Sequence, residues 1–360
     1  MYVNEGKMNI ITIGERKVGV GEPCFILAEA GVNHNGSLEL ARELVDIAVE
    51  ARVDAIKFQT FKPEKVSSPL APKATYQLET TDTEESQLEM GKKLELPFEA
   101  FRELQSYCNA KGMLFLSTPF DHESADFLDE LMVPAFKIPS GEITNLPFVD
   151  HIARKGRPLI VSTGMSTLQE VATVVETIRA TGNEQLAILH CVSNYPAQPS
   201  SINLRAMHTM AEEFGVAVGY SDHTIGIDIA NAAVALGACI VEKHFTINRD
   251  LPGPDHRASL EPHELAAMVR SIRDIEAALG DGCKRPALEE LNTAMVARRS
   301  LVAAHYIHAG TLLTEDMIAI LRPGTGLCPA MRPQLLGQRA RHDIQAGTLL
   351  TLDMLQSHQQ

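Results

Sequence analysis

FILAEAGVNHNG, residues 25–36, is an apolar run that stops at a knot of polar side chains: Glu29, Asn33 and His34. The same event recurs down the chain. AIKFQT (55–60) carries Lys57 and Gln59, LFLSTPFD (114–121) ends on Ser117 and Thr118, and AFKIPSGE (135–142) holds Lys137, Ser140 and Glu142. LIVSTGMS (159–166) ends on Ser162 and Thr163, and AILHCVSNYP (187–196) on Ser193, Asn194 and Tyr195. VAVGYSDHT (216–224) brings Ser221, Asp222 and His223; CIVEKHFT (239–246) brings Glu242, Lys243 and His244. Strands buried on both faces read as near-continuous apolar stretches. Functional side chains at the carboxyl ends of so many successive strands predict an α/β fold, a (β/α)8 TIM barrel with its site at one mouth.

Helical patterns fill the spaces between these runs. LELARELVDIAVEA follows an Asn35-Gly36-Ser37 turn, with Ser37 placed to cap it. Strand and helix alternate from about residue 25 to 280, which demands parallel pairing. The exception is the long stretch 62–97, read as a functional flap near the barrel mouth. The barrel is assigned to residues 1–280, followed by a polar linker, 281–298, with one helical turn. The last stretch, 299–360, contains an internal repeat: IHAGTLLTEDM (307–317) against IQAGTLLTLDM (344–354). Each copy reads as a turn, a short strand and a helix start capped by Thr314 or Thr351. Two copies make a small pseudo-symmetric module whose limited core needs something to dock on.

At 360 residues the chain has room for a barrel of roughly 250 residues and one small module. A formal charge of -14 excludes bulk binding to nucleic acid or anionic membrane, which needs a basic face. An anionic substrate must then be held by a few placed Lys and Arg side chains. The six cysteines are spread out with no Cys-x-x-Cys pair, so they read as free thiols. The opening MYVNEGKMNIITIG has no apolar leader core, which makes the cytoplasm the expected compartment.

His223 and His244 end the last two runs, on strands expected to be neighbours. Two imidazoles pointing into one mouth can share a divalent ion, unless they are ordinary polar residues at strand ends. Glu29, Glu142 or Asp255, or else substrate and water, would complete the shell, and such a half-open site suits Mn²⁺, Mg²⁺ or Co²⁺. Lys57 and Lys137 sit in apolar runs where an unpaired charge is costly to bury. With Thr118, Ser140, Ser162, Ser193 and Ser221 they make a cradle for phosphate plus carboxylate. Structural pairing with Glu142 or Glu242, or a Schiff-base role for one lysine, are the other readings. The Pro- and Gly-rich loop at 248–259 presents Asp255, either to a sugar hydroxyl or as part of a plain turn. Arg322 stands beside a tight turn in RPGTG (322–326), as a ligand group or a surface charge.

AEAGVNHNG, IKFQT, APKATYQ, ESQLEM, STPFD, KIPSGE, STGMS, HCVSNYP, GYSDHT, EKHFT, GPDHRAS and RPGTG occur in this order along nearly the whole chain. They closely resemble the bacterial sialic acid synthase family. The resemblance implies a metal-assisted condensation of phosphoenolpyruvate with N-acetylmannosamine and water, giving N-acetylneuraminate and phosphate. The alternative within the family is a legionaminic acid synthase taking a 6-deoxy diacetamido sugar. It implies that His223 and His244 ligate Mn²⁺, and that Lys57, Thr118, Lys137, Ser140, Ser162 and Ser221 hold phosphoenolpyruvate. Glu29 would do acid–base work, with Glu142 as a second candidate carboxylate, while Gln59, Tyr195, Asp255 and Arg322 would bind the sugar. The tail resembles an antifreeze-like (SAF) domain, which implies a homodimer whose tails close the partner barrels. One departure falls on the Ser193-Asn194 loop, where some members carry Asn at the first position. Rival readings are a metal-dependent aldolase or isomerase on the same barrel, and a non-catalytic sugar- or ice-binding protein.

Overall fold

The computed structural model describes residues 10–356. The opening nine residues, part of the segment read as lacking a leader, lie outside them, as do 357–360. Two compact units divide the chain at Gly280 and Asp281.

The first unit is the expected barrel. Its strands are β1 (Phe25–Gly31), β2 (Ala55–Thr60), β3 (Leu114–Pro119), β4 (Phe136–Ile138), β5 (Leu159–Ser162), β6 (Leu186–Cys191), β7 (Ala217–Asp222) and β8 (Ile240–His244). All seven ladders are parallel, in the order β3-β2-β1-β8-β7-β6-β5-β4, and β3 packs beside β4 to close the ring. Helices α1 (Leu38–Ala51), α2 (Phe98–Ala110), α3 (His122–Glu130), α4 (Leu146–Ala153), α5 (Leu168–Ala180), α6 (Ala206–Phe214), α7 (Asp228–Ala235) and α8 (Pro262–Leu279) intervene. Helix α1 shows why: the Ser37 hydroxyl accepts from Leu40 N at 3.3 Å, and Ala41, Leu44, Val45 and Ala48 form one buried stripe.

Alternation inside the barrel positions the site. Phe25, Leu27, Ala55, Leu116, Ala135, Ile160, Ala187, Leu189, Ala217 and Ile240 cluster toward the amino-terminal end. A hairpin, Ile11–Ile13 with Arg16–Val18, presses Ile11, Ile13 and Val18 into that cluster and plugs it. One strand period further along, the same inward faces carry Glu29, Lys57, Thr118, Lys137, Ser162, Ser221 and Glu242. The apolar floor therefore stabilises the barrel, at roughly 2 kcal/mol per large side chain, while the upper layer is free for chemistry. Gly219 lets the interior close, since a Cβ there would come within 2.4 Å of the Ile240 carbonyl and 2.8 Å of Leu189.

The stretch 62–97 folds as three short helices, Pro63–Val66, Thr75–Leu78 and Gln87–Leu94. The last is secured by a capping box between Ser86 and Glu89. In the second unit, the linker holds a longer helix than one turn, α9 (Glu290–Ala297), with no buried residue. Strands β9 (Ser300–Ala303) and β10 (Ile318–Leu321) pair antiparallel, as do Arg339–Ala340 and Leu355–Gln356. The two repeats pair with each other, Ile307 and Ile344 exchanging backbone hydrogen bonds of 2.9 and 2.8 Å. Their equivalent residues Leu313 and Leu350 share one core. Thr314 and Thr351 do not cap helices: each precedes a single 3-10 turn, because a strand follows at once.

Candidate active site

The carboxyl ends of the barrel strands open into a cavity of about 480 Å³, a size suited to small-molecule substrates. Thirteen of the residues assigned to the site from the sequence line it, but not all of the proposed set meets here. Glu29, Lys57, Gln59, Thr118, Lys137, Ser140, Ser162, Ser193, Tyr195, Ser221, His223, His244 and Asp255 face the same space. Glu142 does not line it; its carboxylate accepts from the Asn145 amide at 2.7 Å in the turn after β4. Arg322 belongs to the second unit, where its Nε donates to the Ala297 carbonyl at 3.0 Å.

At the floor, the Lys57 ammonium touches Glu29, lies 3.7 Å from Glu242 Oε2 and donates to Thr118 Oγ1 at 2.9 Å. Lys137 Nζ lies 3.6 Å from Glu242 Oε1, which also accepts from the Ser221 hydroxyl at 2.9 Å. Burial penalises the charge on Glu242, yet Lys137 and Lys57 outweigh it and hold the carboxyl down to about 2. Glu29 goes the other way: burial and the charge on Glu242 raise it to about 7 despite contact with Lys57 and a 3.1 Å hydrogen bond from Gln59. Burial also depresses Lys137, aided by the charge on Lys57 and opposed by Glu242. Two cations thus share one firmly ionised carboxylate, with Glu29 against Lys57 as a second, more readily protonated one.

Above the floor stand the imidazoles, 5.4 Å apart between ring centroids. His223 Nδ1 lies 2.8 Å from the Val192 carbonyl, an acceptor only, so that nitrogen carries a proton and Nε2 is the one a metal could take. His244 Nδ1 is buried with no hydrogen-bond partner and lies 3.9 Å from Asp255 Oδ2. Burial, His223 and Lys57 hold His244 well below its usual range, in the neutral state that a ligand requires. Burial pushes Asp255 up to about 6 against the pull of His223 and Lys57. Among the described residues no group of three or more His, Cys, Asp or Glu is spaced for a metal. The donor set fits a half-site: two imidazoles, one orphaned nitrogen, and room for oxygen ligands from water or substrate.

Tyr195 lies over His223 with ring centroids 4.0 Å apart, and Tyr76 of the flap stacks on Tyr195 at 5.0 Å. Gly164 explains how Ser140 and Ser193 converge: a Cβ there would fall 2.1 Å from Ser193 Oγ and 2.8 Å from Ser140 Oγ. Among the lining residues that escaped the sequence-based site, three carry polar groups into its centre. Glu242 was read only as a structural partner, although its position two before His244 puts it on the same inward face. Cys191 shares that inward face on β6, two residues before Ser193. Tyr76 falls within the APKATYQ motif, but it arrives from a flap without periodicity, so no strand pattern placed it at the mouth.

The chain matches the NeuB family over residues 44–284 and the SAF domain over 298–356. It is 47% identical to the N,N'-diacetyllegionaminic acid synthase of Legionella pneumophila, over 91% of this chain and 93% of that protein. The N,N'-diacetyllegionaminic acid synthase of Campylobacter jejuni is 46% identical, over 88% of this chain and 95% of that one. A solved N-acetylneuraminic acid (sialic acid) synthetase from Leptospira borgpetersenii, in complex with citrate, superposes with TM-score 0.71 at 35% identity. It covers 81% of this chain and 96% of its own. On its barrel, its motifs and these relatives, the chain belongs to the NeuB family, the sialic acid synthases and their legionaminic acid counterparts, with a SAF domain as its second unit.

Proposed function

We propose that this chain condenses phosphoenolpyruvate with a 6-deoxy diacetamido hexose, giving a nonulosonic acid of the legionaminic type and inorganic phosphate. It is a carbon–carbon bond-forming transferase of its family. N-acetylmannosamine, the first sugar expected from the motifs, gives way as preferred substrate. The relatives at 47% and 46% identity are legionaminic acid synthases, against 35% for the N-acetylneuraminic acid synthetase.

The observation that carries the reading is the unspent donor capacity at the floor. Lys137 is buried, yet its contacts are 3.6 Å to Glu242 and 3.4 Å to the Ile138 carbonyl. Beside it in the cavity wall, the Ser162 hydroxyl is buried with no partner. Buried donors without acceptors are costly unless a ligand supplies them, and a phosphate with a carboxylate does so.

In this reading Lys57, Lys137, Thr118, Ser140, Ser162 and Ser221 hold phosphoenolpyruvate, with Ser193 at the margin of the same cradle. Glu242 keeps both lysines charged and oriented. Glu29, tethered by Lys57 and Gln59, exchanges a proton with the sugar's carbonyl oxygen and the attacking water. Gln59, Tyr195 and Asp255 orient the sugar over the floor. A divalent ion held by His223 and His244, Mn²⁺ or else Mg²⁺ or Co²⁺, would polarise the sugar's carbonyl as a Lewis acid. Arg322 enters through a homodimer, which the family resemblance supports: the tail of one copy would meet the sugar of the other. A panel of sugars with phosphoenolpyruvate and Mn²⁺, read by phosphate release and product mass, tests the reading. Release with the 6-deoxy diacetamido sugar supports it; no release with any sugar refutes it.

A further inference from the structure

We infer that the buried pair of Asp222 and Lys243 is the positioning device that fixes the spacing of His223 and His244. The inference rests on the reading of these two imidazoles as cation ligands and deepens it to the residues that hold them in place.

Strand geometry puts the pair directly behind the ligands. On β7, Ser221 and His223 line the cavity; on β8, Glu242 and His244 do. Asp222 and Lys243 lie between them on their strands, so alternation sends both to the opposite, outer face. They are register partners in the parallel ladder between β7 and β8, and that ladder ends with them. His223 and His244 stand one residue further on, past the last paired positions. Pairing of these two strands therefore does not by itself set the distance between the imidazoles.

Side chains take over at that point. Lys243 Nζ donates to Asp222 Oδ2 at 2.8 Å and also to the Thr224 carbonyl. One ammonium thus grips the residue before His223 and the residue after it, from the position next to His244. The other carboxylate oxygen, Asp222 Oδ1, accepts from the Thr224 amide at 2.9 Å and from its hydroxyl at 2.8 Å, closing a turn with His223 at its apex. Tyr220 donates to the same oxygen at 3.1 Å. Asp222, Lys243 and Thr224 are all buried. A buried ion pair is a poor device for stability alone, since apolar side chains of similar volume often serve as well or better. Here it supplies direction, because it ties defined atoms on two strand ends, each beside an imidazole. A divalent ion needs its two nitrogens at one spacing, and such support behind the ligands is worth about 10- to 100-fold in affinity.

The test is equilibrium titration of the full chain with Mn²⁺, together with the absorption spectrum of the Co²⁺-loaded protein. Lys243→Met removes a positive charge from behind the cation site, so electrostatics alone would tighten Mn²⁺ binding. Loss of the clamp weakens it instead, and the expected rise in Kd is about 10- to 100-fold. Asp222→Asn combined with Lys243→Met removes both charges together, leaves the net charge as it was and strands no ion in the interior. It should show the same rise and a shifted Co²⁺ spectrum. Tyr220→Phe deletes a hydrogen bond to the same carboxylate but keeps the clamp, so its Kd for Mn²⁺ should stay within about twofold of the parent. Binding of phosphoenolpyruvate, measured without metal, should be unaltered in every variant, a split that general loss of structure would not produce. An unchanged or lower Kd for Mn²⁺ in the folded double variant overturns the inference and leaves the cation reading standing. Equal weakening by Tyr220→Phe also overturns it. A parent chain that binds neither Mn²⁺ nor Co²⁺ refutes the cation reading, and this inference with it.

Discussion

Lys137 Nζ stands 3.6 Å from Glu242 Oε1 at the floor of the cavity, beyond hydrogen-bond reach but close enough for each charge to set the other. Glu242 offsets part of the burial that disfavours the ammonium and leaves it with donors to spare. Lys137→Ala should raise KM for phosphoenolpyruvate by about 10- to 100-fold, the worth of a charge-assisted hydrogen bond. KM for the sugar should stay within about twofold, since the sugar is held elsewhere. Parallel rises in both constants would contradict this placement. Borohydride added with substrate should trap no covalent adduct; an adduct on Lys137 would favour the aldolase reading.

Glu242 lies between two cations, so Glu242→Gln leaves Lys137 without a carboxylate and Lys57 with Glu29 alone. The expected loss of stability is about 3 kcal/mol, as for other broken buried pairs, read from denaturant unfolding. Phosphoenolpyruvate should restore more stability to the variant than to the parent protein, because its anionic groups replace the missing charge. An unchanged unfolding midpoint would contradict the role given to Glu242.

His34 supplies a pH dependence away from the floor. It is buried beside His256, and burial first, then the neighbouring imidazole, lower it from 6.5 to about 4. The unfolded chain therefore binds the proton more readily between these values. Stability is fully present above pH 6.5 and falls as pH drops, with the loss complete below about 4. The loss from this group is about 3 kcal/mol. His34→Gln keeps an acceptor for the Gly36 amide and cannot titrate, so its stability should fall less over that window. Identical slopes for both proteins would contradict the assignment.

The barrel was legible because its strands are buried on both faces and end in chemistry, a pattern of residue order alone. Glu29, Lys57, Thr118, Lys137, Ser162, Ser221, His223 and His244 were legible for the same reason: each sits at a strand's end. Glu242 was mistaken for scaffold, because sequence shows that a glutamate neighbours a lysine but not which way either points. Lys243, one residue on, faces outward and pairs with Asp222 at 2.8 Å, both fully buried behind the site. Glu142 shows the opposite failure. Its motif reads like the others, but a 3-10 turn carries it past the mouth. Tyr76 and Met90 come from a flap whose fold is set by tertiary packing, so no periodicity announces them.

Metal binding is measurable apart from turnover. Titration of free Mn²⁺ should show one site per chain, lost in His223→Ala and in His244→Ala while each variant keeps its helical content. EDTA should stop turnover, and added Mn²⁺ should restore it. Full activity after verified metal removal would contradict the Lewis-acid role.

The tail can be tested by mixing. Arg322→Ala and His244→Ala chains, each crippled alone, should regain activity once subunits exchange, because one heterodimer site then carries both side chains. A mixture that stays as inactive as its parents after verified exchange would contradict the cross-subunit role of Arg322.

The most direct test of the central claim is product analysis of a single mixture: the protein, Mn²⁺, phosphoenolpyruvate and the 6-deoxy diacetamido hexose. One phosphate should be released for each sugar consumed, and the product mass should equal sugar plus phosphoenolpyruvate plus water less phosphoric acid. Sugar consumed without phosphate, or phosphate released without a new carbon–carbon bond, would contradict it.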